Sequence, residues 1–176
     1  MLDNPLFKIP FRYGLLGGLV GSLAIAVLYF MGRHPFLLPV IFDFRILMFS
    51  VFIFFSLREI RDFHLNGVLF FWQGIMSSYV FIVTSAVIGS VFTWGFTQWN
   101  AKFLPSYIEK LQQQMLGYKE EIIKSVGMDA YHQQLAKLPF TSALDLAGDY
   151  FLKSMIIGLF LAIVISVLLR KQPKTN

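Results

Sequence analysis

The stretch "YGLLGGLVGSLAIAVLYFM", residues 13–31, runs for nineteen positions without a charged side chain. A helix needs about 20 apolar residues to cross the ~30 Å hydrocarbon layer, because in lipid only a helix or a closed barrel satisfies its own backbone hydrogen bonds. The reading as a membrane span fits the whole chain: of its 176 residues 56% are hydrophobic, 17% aromatic and only 14% charged, and the mean hydropathy is +0.64. A soluble domain carries far more charge. Ala24-Ile25-Ala26 resembles a signal-peptidase site, but the apolar run continues through Met31 and three more apolar segments follow, so the stretch is expected to stay in the bilayer.

Those segments are residues 40–57, 68–96 and 150–169. Trp72 and Trp94 bracket the third at a separation of 22 residues, about 33 Å at 1.5 Å per residue, which matches the spacing of two interfacial aromatic belts. The second span is awkward, because Asp43 and Arg45 leave only residues 46–57 free of charge. Pro35 and Pro39 suggest that its helix starts near Pro39 and keeps both charges at the interface. Two positions apart on a helix, Asp43 and Arg45 point to different faces, so Arg33, Asp149 or Lys153 are the expected partners. Phe42, Phe44, Phe49, Phe52, Phe54 and Phe55 suit a peripheral, lipid-facing helix.

Residues 97–149 form the one sizeable extramembrane region. Within it, "PSYIEKLQQQMLGYKEEIIKSVG" (105–127) opens on Ser106 and Glu109 in capping-box spacing. Ile108, Leu111, Met115, Tyr118 and Ile122 then recur at steps of three and four, the stripe of an amphipathic helix that ends at Gly127. A shorter helix is expected over 129–137, and Ser142 with Asp145 caps the last helix. The expectation is an all-α polytopic membrane protein: a single domain, 1–176, of four transmembrane helices with a helical arm between the third and fourth.

Lys8, Arg12, Arg58, Arg61, Arg170, Lys171 and Lys174 fall on one side and Arg33 alone in the first short loop, which predicts cytoplasmic N- and C-termini. The arm carries five lysines interleaved with acids, in a segment long enough to translocate regardless of charge. A net charge of +5 forms no stripe of base-reading residues, so nucleic acid is not an expected partner; the lipid bilayer is. With no cysteine, disulfides and thiolate chemistry are excluded.

Arg58 and Asp62 stand at i and i+4 in "SLREIRDFHLNG" (56–67), where a helix leaves the membrane. That pairing is ordinary at a helix end; the alternative is a headgroup site of Arg58, Arg61 and His64 at the inner leaflet. Asn66-Gly67 makes the turn into the next span. Small residues form ridges: Gly14, Gly18, Ser22 and Ala26, with Gly17 and Gly21 beside them; Ser85, Gly89 and Thr93; Ser154, Gly158, Ala162 and Ser166. Such ridges let helices approach closely, either within one bundle or in a homodimer through the first span. His34, His64 and His132 lack metal-ligand spacing, and no catalytic motif occurs, so no catalytic residue, metal or cofactor is expected. Gln73, Ser77, Ser78, Thr84 and Ser85 add polarity to the third span and keep a small-solute pathway open as the alternative.

Through "FIFFSLREIRDFHLNGVLFFWQG", "FLPSYIEKLQQQM" and "GLFLAIVISVLLRK" the chain resembles the "domain of unknown function 4199" family of small bacterial membrane proteins. The resemblance covers nearly the whole chain. It implies an inner-membrane location, the family being best represented in the Bacteroidota, and carries over no activity. The expected role is non-enzymatic: a subunit or accessory protein meeting a membrane partner, or its own copy, through Gly14, Gly17, Gly18 and Gly21 and through Ile108, Leu111, Met115 and Ile122 of the arm.

Overall fold

The computed structural model describes residues 4–39 and 42–172, and these are helical throughout apart from short connections. Among the described residues three helices are long and apolar enough to cross a membrane: α1 (Pro5–Phe30), α3 (Phe71–Trp99) and α7 (Ala143–Leu169). Between the first two lies the shorter α2 (Phe44–Glu59), and between the last two the arm helices α4 (Phe103–Gly117), α5 (Lys119–Val126) and α6 (Met128–Lys137). The connection between the two long helices runs over 100–142, because α3 continues to Trp99 and α7 begins at Ala143.

Glycines set the packing. A methyl group on Gly14 would meet Thr84 at 2.7 Å, and one on Gly18 would meet Ile88 at 2.7 Å, so α1 lies backbone-close to α3. Gly158 faces Ile82 and Gly74 faces Ser166 in the same way, while Gly89 is covered by the Tyr150 ring. These matches rise together along α1 and α3 but run in opposite senses along α3 and α7. Hence α1 and α3 are parallel and α7 is antiparallel to them, a core held by small-residue packing as membrane helices require. Since α1 and α3 run the same way, α2 returns the chain: Met48 lies against Gly21 and Glu59 against Arg12.

The first helix begins at Pro5, eight residues before its charge-free run, with Asn4 capping Leu6. Pro10 stands inside it and has no N–H to offer the carbonyl four residues back. That carbonyl, of Leu6, instead accepts the Ser77 hydroxyl of α3 at 3.0 Å.

The second helix starts later than the expected beginning near Pro39. It starts at Phe44, capped by Asp43, and its 16 residues reach about 24 Å, short of a full crossing. Nor is it peripheral: Phe49 is buried edge-on to Phe81, and Phe52 stacks on the same ring, while Phe42, Phe54 and Phe55 stay exposed. Six phenylalanines over fourteen positions cannot share one helical face, so the set divides.

The apolar runs are staggered. That of α1 begins beside Phe81 and Thr84, midway along α3, whereas that of α7 continues past Ser166, level with Gly74 near the start of α3. At the end bearing both chain termini, Asn66 and Gly67 make the tight turn with positive φ, and Leu69 and Lys171 exchange backbone hydrogen bonds of 3.0 and 2.9 Å.

Candidate functional site

Polar side chains gather at three places. At the arm end of the bundle, Asp43 and Arg45 form a buried ion pair, contrary to the expectation that they point apart. Asp43 is the N-cap and its backbone is extended (ψ 115°), so helical face geometry does not apply to it. Its carboxylate accepts from the Arg45 amide at 3.0 Å and from Nε at 2.9 Å. The guanidinium also donates to the Tyr150 carbonyl at 3.1 Å and the Ser154 hydroxyl at 3.2 Å, and lies 4.9 Å from the Tyr150 ring centroid. The expected partners are elsewhere: Asp149 and Lys153 pair with each other at 2.7 Å. With every face of the guanidinium engaged, the cluster is a latch between α2 and α7 rather than an open reactive site.

Above it, the loop after α1 and the start of α4 meet in an aromatic knot. His34 is buried between Tyr29, Phe36, Phe103 and Tyr107, its ring 4.7 Å from that of Phe103. Burial lowers its pKa to about 4, opposed by the Phe103 backbone and reinforced by the Lys110 ammonium, so the imidazole is neutral at pH 7. Lys110 donates to the Gly32 carbonyl at 2.9 Å and straps the arm to the bundle.

The third place is the terminus end of α1 and α2. Glu59, which sequence reasoning did not single out, accepts two bonds from Arg12 at 2.7 and 3.0 Å and one from the Tyr13 hydroxyl at 2.8 Å. Beyond it the chain widens into a π-helical turn, Ile60–His64, a device frequent at functional sites. There Arg61 grips Asp62 at 2.7 and 3.2 Å, holding the carboxyl below its usual range, while Arg58 reaches the same carboxylate only at 3.5 Å. A recess of about 410 Å³ opens here, lined by Tyr13, Phe55, Arg58, Glu59, Asp62, Phe63 and His64. Arg58 and His64 of the expected headgroup set face it; Arg61 backs it through Asp62.

The expected interaction faces lie inside the chain. Gly14, Gly17 and Gly18 are filled by Phe81, Thr84 and Ile88, and Gly21 by Met48 and Tyr150. In the arm, Met115 is buried with Tyr131 and Leu138, and Ile108, Leu111 and Ile122 pack around them. The stripe thus docks on α6. The expected single helix breaks at Tyr118, and Ser106 caps nothing, donating instead to the Phe103 carbonyl at 2.8 Å. Asn100, whose side chain accepts from the Lys102 amide at 3.1 Å, starts the turn earlier. The Ser142–Asp145 capping box is present as expected, and so is a helix at Met128–Lys137.

The family model described as "Protein of unknown function (DUF4199)" matches residues 12–171. The chain belongs to the DUF4199 family. The match begins at Arg12 and ends at Lys171, so it takes in the Arg12–Glu59 pair, the Arg45 latch and the whole arm. No curated protein and no solved structure matches the chain. Among the described residues no three His, Asp or Glu side chains converge as a metal site.

Proposed function

We propose that this DUF4199 protein is a non-enzymatic component of the bacterial inner membrane, with both termini cytoplasmic, acting as a subunit or accessory protein through its outer surfaces. In this reading α2 and the loop before it make the fourth pass, since parallel α1 and α3 require the chain to return between them. The observation that carries the proposal is the arm: it has its own core around Tyr131 and is fixed to the bundle through Phe103, yet Leu116, Tyr118, Val126 and Met128 stay exposed. Apolar side chains held outward on a rigid, anchored platform suit contact with another membrane protein or a second copy.

The rival, solute passage along α3, finds less support. Gln73 accepts from the Phe70 amide, Ser77 serves Leu6, and Thr84 bonds the Val80 carbonyl of its own helix. Photo-crosslinking residues placed at Leu116, Tyr118 and Val126 test the proposal in native membranes. The expected result is an adduct of discrete mass, absent when the crosslinker replaces buried Tyr131; a chain that stays monomeric at all three outer positions would remove the proposal's basis.

A further inference from the structure

The recess at the terminus end of α1 and α2 has an unbalanced charge and an apolar wall, and both features ask for the same ligand. Glu59 is paired with Arg12 and Tyr13, and Asp62 with the fork of Arg61. Three arginines thus face two carboxylates, and the one left over is Arg58, whose side chain is 56% exposed and holds Asp62 only at 3.5 Å. His64 directs Nδ1 toward the Glu59 carbonyl at 3.5 Å, and the residue lines the recess. Beside these groups Phe63 is 80% and Phe55 48% exposed.

We propose that this recess holds the phosphate of an anionic phospholipid, with Arg58 as its charge partner, His64 as a second donor, and Phe55 and Phe63 against the acyl chains. The position fits, because Tyr13 opens the charge-free run of α1 and Leu57 closes that of α2, so the recess lies where the apolar runs of both helices give way to charge. The balance of charge selects the headgroup. Three guanidiniums set against two carboxylates leave one positive charge uncompensated, which favours a lipid of net negative charge over a zwitterion, and its phosphate meets an under-used guanidinium. The two phenylalanines select lipid over a soluble phosphate, which would leave both rings in water.

Native mass spectrometry of the full chain, released from micelles doped with phosphatidylglycerol, phosphatidylethanolamine or phosphatidylcholine, tests this. Phosphatidylglycerol should be retained at least tenfold better than the other two. Arg58→Gln should abolish the preference, Phe63→Ala should weaken retention several-fold, and Arg170→Gln, a cation outside the recess, should leave it unchanged. Thermal melting of each variant separates lost binding from lost folding, and Arg58→Lys, which keeps the charge, should retain part of the preference. Equal retention of the three lipids, an unchanged Arg58→Gln variant, or an equal loss in Arg170→Gln would overturn the proposal. Displacement by millimolar inorganic phosphate would overturn the lipid assignment in favour of a small-anion site.

Discussion

Replacing Arg45 by methionine isolates the latch that fastens the short α2 to α7. The substitution keeps volume and apolar stem but removes the charge that neutralises Asp43, whose side chain is only 15% exposed. The carboxylate loses the Nε bond at 2.9 Å and the second guanidinium contact, and the Ser154 hydroxyl loses its donor. An unpaired buried charge of this kind costs about 3–5 kcal/mol. Asp43→Asn is milder, about 2–3 kcal/mol, because asparagine still caps α2 and the guanidinium keeps the Tyr150 carbonyl and ring. The double variant leaves no charge behind and should fall within about 1 kcal/mol of the parent. Unfolding in mixed micelles with increasing dodecyl sulfate, read by the fluorescence of the three tryptophans, measures all four proteins. Arg45→Met costing under about 1 kcal/mol, or single-variant losses that simply add in the double, would refute the reasoning.

Three further outcomes follow from the packing. Gly89→Ala, at a site covered by the Tyr150 ring, should lower stability by about 1–3 kcal/mol in the same titration, whereas Gly95→Ala, with open space around it, should change little. Ser77→Ala should cost about 1 kcal/mol by orphaning the Leu6 carbonyl, and much less in a Pro10→Ala background, where the restored N–H at position 10 can serve that carbonyl. For His34 the folded chain lowers the pKa from 6.5 to about 4, so the unfolded chain binds the proton first. Stability should hold above pH 6.5, fall between 6.5 and about 4 by on the order of 2–3 kcal/mol, and level off below. His34→Phe should flatten that slope in a pH series of melting midpoints.

The three long helices were legible because their apolar runs exceed what any other structure can satisfy in lipid, and the Ser142–Asp145 cap because its bonds are local. The second helix was not. Its charges suggested a helix starting near Pro39 with its ends at the interface, but Asp43 caps a helix that starts at Phe44, and a capping residue obeys no rule of helical faces. The small-residue ridges were visible in the sequence, yet which neighbour fills Gly14 or Gly89 depends on helix order, which no single segment encodes. The arm's stripe could be read, while its destination, Tyr131 on α6, lies across a turn at Gly127. At the terminus end the sequence pointed to Arg58, Arg61 and His64. Glu59 escaped notice because its partners, Arg12 and Tyr13, stand 47 and 46 positions away.

A bundle that acts through its outer surfaces has a dry interior. The hydroxyls of Ser78 and Ser85 are buried without a hydrogen-bond partner among the described residues, so a hydrated pathway would reveal itself there first. Because the chain has no native cysteine, Ser78→Cys and Ser85→Cys can be probed with a membrane-impermeant thiol reagent from each side of the bilayer, beside Gln133→Cys on the exposed side of α6. Both inner thiols should stay unlabelled while Gln133→Cys reacts; rapid labelling of either inner position would make solute passage the better explanation.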